Sequence, residues 1–248
     1  MITLKSQREI DTMRTAGRIT AEALVRVGEA VKPGVSTSEL DEIAKRHIEK
    51  SGAVPAFLGY SGYPATICAS VNDQVVHGIP GSRVLKPGDI VSIDLGAKYK
   101  GYFGDSARTY GVGHISDDAA RLIEVTKRSY EAGVRAFVAG DRLQSISAAV
   151  QKVAEDAGFS VVRELVGHGI GQALHEDPNV PNFVSKNKGP KLRVGMVICI
   201  EPMVNFGRKE TFTRPDGWTV CTKDGSISAH YENAVALCEH GPEILTKV

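Results

Sequence analysis

Residues 86–94 read Lys-Pro-Gly-Asp-Ile-Val-Ser-Ile-Asp, a turn-forming segment followed by an apolar run that an acid closes. The run from Ile90 to Ile93 predicts a buried strand, and Asp94 follows at its end. Burial of an ionised carboxylate is costly unless a partner lies beside it. The segment therefore predicts a core strand together with a carboxylate that has a binding role.

The same pattern recurs about 107 residues later. Residues 193–201 read Arg-Val-Gly-Met-Val-Ile-Cys-Ile-Glu, which aligns glycine with glycine, aliphatic residues with aliphatic residues, and Asp94 with Glu201. Upstream, Gly34 to Gly52 aligns with Gly140 to Gly158 at a shift of 106, and both segments have helical apolar spacing. Chance similarity is the alternative, and the agreement of the two shifts argues against it.

Two repeats are too few for a solenoid, so we expect one α+β domain over residues 1–248. Its two pseudo-symmetric halves, about 1–112 and 113–248, are expected to share a mixed or antiparallel sheet. Helices are expected to cover the outside of that sheet. No low-complexity linker separates the halves.

The helix in the first repeated segment is expected to begin after Ser36 or Ser38 as its N-cap and to stop at Gly52. The second repeated segment predicts an equivalent helix. Two further helices are predicted over Ser6 to Val31 and Asp117 to Ala139.

Asp105 follows Asp94 by eleven residues, and Lys98 to Gly101 between them predict a turn. A hairpin centred between Tyr99 and Lys100 would place the two aspartates directly opposite each other. Opposed side chains on antiparallel strands have Cβ atoms roughly 5 Å apart, where like charges repel. We therefore expect a cation between the two carboxylates, whereas for either acid alone solvation at a hairpin mouth is the simpler interpretation.

Three more residues offer ligand atoms from apolar or glycine-rich surroundings: Glu201, Glu232, and His168 in an expected turn flanked by Gly167 and Gly169. Four carboxylates and one imidazole suit manganese, iron(II), cobalt or zinc, and differ from the cysteine sets of structural zinc sites. Because carboxylates can bridge, we expect two divalent ions about 3.5 to 4 Å apart. The candidate metal ligands are Asp94, Asp105, His168, Glu201 and Glu232.

Composition narrows the class of protein. The 248 residues include 30 basic and 29 acidic ones, so the net charge of +1 gives no indication of DNA or membrane-surface binding. This charge balance does not exclude a transient ribosome contact through a local patch.

No apolar run approaches the ~20 residues that span a bilayer, so a cytoplasmic protein is expected. The four cysteines lack Cys-x-x-Cys spacing and are expected to be reduced core thiols.

Several short motifs follow one another along the chain: His77-Gly-Ile-Pro, Ile93-Asp94, Gly104-Asp105, Gly167-His-Gly-Ile-Gly, His175-Glu-Asp-Pro, Ile200-Glu-Pro and Tyr231-Glu232. In their order, these motifs resemble the bacterial-type, type I methionine aminopeptidases of the pita-bread (creatinase/aminopeptidase) metallopeptidase superfamily. The resemblance runs from the N-terminal helix to Leu245, and His168 and Glu201 are only 33 positions apart, too few for the large insertion of the type II enzymes.

The resemblance implies a pita-bread fold and the same five residues as ligands of two divalent ions. It implies a monomeric hydrolase that removes the initiator methionine from nascent proteins and peptides, with preference for a small uncharged second residue. The implied reaction is attack of a metal-activated water on the first peptide bond. Which of cobalt, manganese, iron(II) or zinc the protein uses is left open.

Residue roles follow from the same resemblance. It implies that His77 and His175 contact the substrate and act in catalysis, and that Glu201 is the proton shuttle. The implied pocket for the methionine side chain consists of Tyr60, Tyr63, Cys68, His77 and Trp218. Three positions depart from the family pattern and bear on pocket shape and metal preference: Phe57 in place of a cysteine, Leu174 in place of an aromatic residue, and His230 in place of a glutamine.

Two alternatives stay open. A proline-specific peptidase of the same superfamily would use the same five ligands, but such enzymes generally carry an additional N-terminal domain that is not expected here. A metal-free binding protein on the same fold would be expected to have lost ligands, whereas all five are present.

Overall fold

The computed structural model describes residues 1–248. Its helices are α1 (Gln7–Ala30), α2 (Thr37–Lys50), α3 (Asp117–Arg135) and α4 (Gln144–Asp156), and a short 3₁₀ turn spans Tyr60–Gly62. None of the helices combines the length and apolar character that crossing a membrane requires.

Fifteen strands accompany the helices. They are β1 (Val54–Pro55), β2 (Ile67–Val71), β3 (Gln74–Val76), β4 (Ile90–Tyr99), β5 (Tyr102–Gly111), β6 (Ser160–Val161), β7 (Gly167–Gly169), β8 (Glu176–Val180), β9 (Val197–Ile200), β10 (Met203–Asn205), β11 (Thr211–Thr213), β12 (Val220–Thr222), β13 (Ser228–His230), β14 (Glu232–Cys238) and β15 (Gly241–Ile244).

The predicted helices are present, and one of them is shorter than expected. Ser36 is the N-cap of α2: its hydroxyl accepts from the Glu39 N–H, while the Glu39 carboxylate accepts from the Ser36 N–H. A cap of this kind contributes about 1 kcal/mol. Helix α3 ends at Arg135 instead of Ala139, because the fully buried Phe137 turns into the core against α4.

One antiparallel sheet of nine strands carries the architecture. Its order is β1-β4-β5-β14-β9-β7-β8, with β2 also paired to β4 and β15 to β14. The apolar faces of α1 and α2 pack on β2 and β4, whereas α3 and α4 pack on β9 and β14. Each helix pair thus buries its own part of the sheet, as expected for an α+β domain with external helices; the internal repeat as such stays a prediction.

The hairpin of β4 and β5 has a different register from the expected one. Asp94 pairs with Ala107, and Asp105 pairs with Gly96. The direct opposition of the two aspartates is therefore wrong. Because side chains two residues apart point to the same face of a strand, Asp94 and Asp105 are instead diagonal neighbours on one face of the sheet.

The turn explains this difference. Tyr99 pairs with Tyr102, so the two central turn residues are Lys100 and Gly101, with φ of 47° and 88°. Two-residue hairpin turns of this kind need positive φ at both central positions. Gly101 adopts such a φ without steric cost, and this requirement moves the centre of the turn one residue along the chain.

His168 lies in strand β7, and the expected glycine-flanked turn is wrong. A Cβ added to Gly167 would lie 2.3 Å from the carbonyl oxygen of Cys199, and one added to Gly169 would lie 2.1 Å from that of Asp177. These glycines therefore permit close approach of neighbouring strands instead of a reversal of the chain.

Candidate metal centre and active-site pocket

Five neighbouring strands bring the expected ligands together. Asp94 and Asp105 come from β4 and β5, His168 from β7, Glu201 from the residue after β9, and Glu232 from the first residue of β14. Strand β14 lies between β5 and β9 in the sheet, so Glu232 lies between the strand that carries Asp105 and the strand that precedes Glu201. All five side chains line one cavity of about 190 Å³.

The four carboxylates are crowded and short of partners. Each has a buried oxygen without a hydrogen-bond partner: Asp94 Oδ1, Asp105 Oδ1, Glu201 Oε1 and Glu232 Oε1. Burial raises the pKa of all four acids, and for Asp105, Glu201 and Glu232 repulsion between neighbouring carboxylates raises the pKa further. Buried carboxylates at this spacing need positive charge between them, and divalent cations fit that need.

His168 is oriented as a nitrogen donor. Its Nδ1 donates to the Gly169 carbonyl at 2.9 Å, so the lone pair is on Nε2. That Nε2 lies 3.4 Å from Glu201 Oε1 and 3.9 Å from Asp105 Oδ2. Burial lowers the pKa of His168 to about 3, so the imidazole is neutral at physiological pH.

At this site, potential ligand atoms form two groups that share Glu232. One contains Asp105, His168, Cys199 and Glu232, the other Asp94, His230 and Glu232, and within each group the atoms lie within 4.8 Å of one another. The sequence predicts Cys199 only as a reduced core thiol, and burial raises the pKa of this thiol well above its usual value.

Among the four histidines that line the cavity, His230 is the one that sequence reasoning did not include in the candidate site. Its side chain is buried, lines the cavity, and lies 3.7 Å by Nε2 from Glu232 Oε2. The sequence singled it out only as a departure from a family pattern. The spacing of two residues to Glu232 was the available signal, since such residues share a face of an extended chain.

The two expected catalytic histidines also line the cavity. His77 follows β3 with a positive φ of 57°, which a non-glycine residue adopts rarely. His175 Nδ1 is hydrogen-bonded to the Tyr60 hydroxyl at 2.7 Å, and its ring centroid lies 4.3 Å from that of His168. Burial lowers the pKa of His77 to about 4 and lowers that of His175.

An apolar wall also lines this cavity. Tyr63 donates from its hydroxyl to the carbonyls of Ile67 and Gly78, which fixes its ring, and the ring centroid of Trp218 lies 5.0 Å away. The wall consists of Phe57, Tyr63, Cys68, Leu174 and Trp218. Among the expected pocket residues, Tyr60 alone lies outside the cavity lining, at the exposed rim, where it contacts His175.

The sequence model of Metallopeptidase family M24 matches residues 11–239. The chain belongs to this family. A protein named methionine aminopeptidase 1, from Bacillus subtilis strain 168, is 55% identical to this M24 chain over 248 residues and is covered completely. The crystal structure of a methionine aminopeptidase from Thermotoga maritima matches with a TM-score of 0.98 at 42% identity, and each chain is covered completely.

A structure with lower sequence identity has a similar fold. An Xaa-Pro dipeptidase from Bacillus anthracis matches 99% of this M24 chain with a TM-score of 0.79, at 24% identity and over 62% of its own length. That likeness concerns the fold alone. Together with the Thermotoga maritima structure, it confirms the expected pita-bread α+β fold for this M24 metallopeptidase.

Proposed function

We propose that this M24 chain is an aminopeptidase that removes the N-terminal methionine from nascent proteins and peptides with a small, uncharged second residue. One observation carries the proposal: an apolar wall, with Tyr63, Cys68 and Trp218, shares a single cavity with a cluster of carboxylates and imidazoles. An unbranched apolar side chain fits that wall, while the adjoining polar groups face its backbone. Full-length relatives named methionine aminopeptidase support this choice of substrate.

Asp94, Asp105, His168, Glu201 and Glu232 would hold two divalent cations, with cobalt, manganese, iron(II) and zinc all compatible with these donors. When bound, the cations supply Lewis acidity to the substrate carbonyl and lower the pKa of a water toward neutrality. The unpartnered buried oxygens of all four acids support this assignment.

His175 would stabilise the negative oxygen of the tetrahedral intermediate. The Tyr60 hydroxyl donates to Nδ1 in the arrangement that leaves the ring proton on Nε2, the nitrogen available to the cavity. A neutral imidazole then donates a hydrogen bond to the oxygen as its charge develops. The lowered pKa of His175 supports a neutral ring.

His77 and Glu201 would act at the scissile amide. A neutral His77 has a ring nitrogen able to accept from the amide N–H, which would hold the leaving nitrogen in place. Glu201 would take a proton from the attacking water and deliver it to that nitrogen. Burial and neighbouring acids raise the pKa of Glu201, which suits a carboxyl group that holds a proton between these two steps.

Nascent chains as substrates place the proposed activity in the cytoplasm. There the enzyme would act as a monomer, with at most a transient ribosome contact.

A comparison of Met-Ala-Ser with Ala-Pro, in the presence of manganese or cobalt, tests the specificity. We expect release of methionine from the first peptide and no cleavage of the second; preferential cleavage of Ala-Pro would identify a proline-specific peptidase instead.

A further inference from the structure

His230 has an unusual environment for a buried histidine. Both of its ring nitrogens are shielded from solvent, and neither has a hydrogen-bond partner. Buried polar atoms in native proteins are nearly always paired, with protein groups, ordered water or a bound ion. The side chain is 2% exposed and lines the cavity of the proposed metal centre, so a partner for one of its ring nitrogens belongs in that cavity.

The distances favour a cation as that partner. His230 Nε2 lies 3.7 Å from Glu232 Oε2 and 3.9 Å from Glu201 Oε2, both too long for hydrogen bonds. Ligand atoms bound at about 2.0 to 2.2 Å to one ion can be up to roughly 4.3 Å apart. His168 Nε2 has similar separations from carboxylate oxygens, 3.4 and 3.9 Å.

Placement along the chain supports the same interpretation. His230 ends β13, Glu232 begins β14, and the two side chains approach each other across the intervening Tyr231. With Asp94 from β4 they form a group whose potential ligand atoms all lie within 4.8 Å of one another. This group is separate from the one that contains His168, apart from the shared Glu232.

We infer that His230 is a sixth protein ligand of the proposed two-metal centre and binds the cation held by Asp94 and Glu232. The inference rests on the proposed metal centre. Each cation then has one imidazole ligand: His168 for one ion and His230 for the other. The additional nitrogen donor shifts the preference of the Asp94 position from manganese toward cobalt, iron(II) or zinc, since imidazole suits these ions better than Mn²⁺.

Titration of the metal-free full chain with Co²⁺, followed by visible absorption and by competition with a chromophoric chelator, tests this inference without a substrate. His230→Gln removes the imidazole and keeps a polar side chain, while His114→Gln makes the same change at an exposed position. We expect His230→Gln to weaken one of two Co²⁺-binding steps by at least about tenfold and to alter its spectrum. His114→Gln should match the unsubstituted protein.

Unchanged affinities and spectra in a folded His230→Gln protein would overturn the inference and leave the metal centre standing. Failure of the unsubstituted chain to bind Co²⁺ would overturn the metal centre and this inference together. X-ray absorption of the unsubstituted protein loaded with two zinc ions needs no variant. Outer-shell scattering from two imidazoles per pair of ions supports His230 as a ligand, and scattering from one imidazole excludes it.

Discussion

The hydroxyl of Tyr60 lies 2.7 Å from Nδ1 of His175 and joins an exposed residue at the rim of the cavity to a proposed catalytic imidazole. In this arrangement Tyr60 is a positioning residue: it holds the ring and leaves the proton on Nε2. Tyr60→Phe should lower kcat by about fivefold, because a hydrogen bond of this kind contributes roughly 1 kcal/mol.

The measurement for Tyr60→Phe is kcat and KM for Met-Ala-Ser together with the pH profile of kcat. A positioning role predicts a change in kcat and in the pH profile with little change in KM. A rise in KM alone would assign Tyr60 to substrate binding instead.

His175→Ala should lower kcat by about 10² to 10³, because it removes a donor to the developing oxyanion. Metal content, measured by elemental analysis after gel filtration, should equal that of the unsubstituted protein, since the hydroxyl of Tyr60 already occupies Nδ1. His114→Ala serves as the control for a generic loss of histidine. Loss of metal from His175→Ala would reassign the residue as a ligand.

Asp94 predicts a pH-dependent difference in stability in the metal-free protein. Burial raises its pKa from 3.8 to about 7, so its contribution is fully present below pH 4 and is lost as the pH rises through about 7. The Asp94→Asn variant does not lose stability in this way, because asparagine has no carboxyl group to ionise. Without metal, the variant should therefore become more stable relative to the unsubstituted protein as the pH rises from about 4 to above 7, by a few kcal/mol at most.

Urea unfolding of the two proteins at pH 4.5 and pH 8, with chelator present, measures this difference. Added Mn²⁺ or Co²⁺ should make the unsubstituted protein the more stable of the two at pH 8. The reason is that aspartate at position 94 offers the cation a charged carboxylate, whereas asparagine is neutral. A stability difference that is independent of pH would contradict the assignment of a buried, destabilised carboxyl group.

Gly17 lies in a tightly packed part of α1, and we predict that a larger side chain at this position destabilises the protein. Helix α1 crosses β5 where Gly17 meets Gly104, the residue before Asp105, and a Cβ on Gly17 would lie 2.4 Å from the Leu245 carbonyl oxygen. In an exposed helix, replacement of glycine by alanine stabilises by about 1 kcal/mol. Here Gly17→Ala should instead destabilise by about 1 to 3 kcal/mol through overpacking.

Chemical denaturation measures the effect of Gly17→Ala, with Thr12→Ala at a half-buried position of the same helix as the control. A stabilised Gly17→Ala protein would show that α1 can move away from the sheet without cost.

Sequence order and residue chemistry were sufficient to predict five candidate ligands, and all five lie in one cavity. Carboxylates at the ends of apolar strands, such as Asp94 and Glu201, have few stable placements other than a shared polar cluster. Capping chemistry predicted α2 equally well, because Ser36 and Glu39 act through contacts local to the sequence.

Other features depend on three-dimensional details that a pattern does not contain. The register of the β4–β5 hairpin depends on positive φ at Lys100 and Gly101, which moved Asp105 from a direct to a diagonal neighbour of Asp94. The glycines beside His168 resemble a turn in sequence, yet they serve close strand packing. His230 emerged as a candidate only when β13 and β14 placed it beside Glu232.

The most direct test of the proposed function is methionine release from Met-Ala-Ser by the full chain, first stripped of metal and then supplied with Mn²⁺, Co²⁺, Fe²⁺ or Zn²⁺ in turn. We predict no release by the stripped protein and restored release with at least one of these cations. Absence of methionine release with every divalent cation, from protein shown to be folded, would contradict the account.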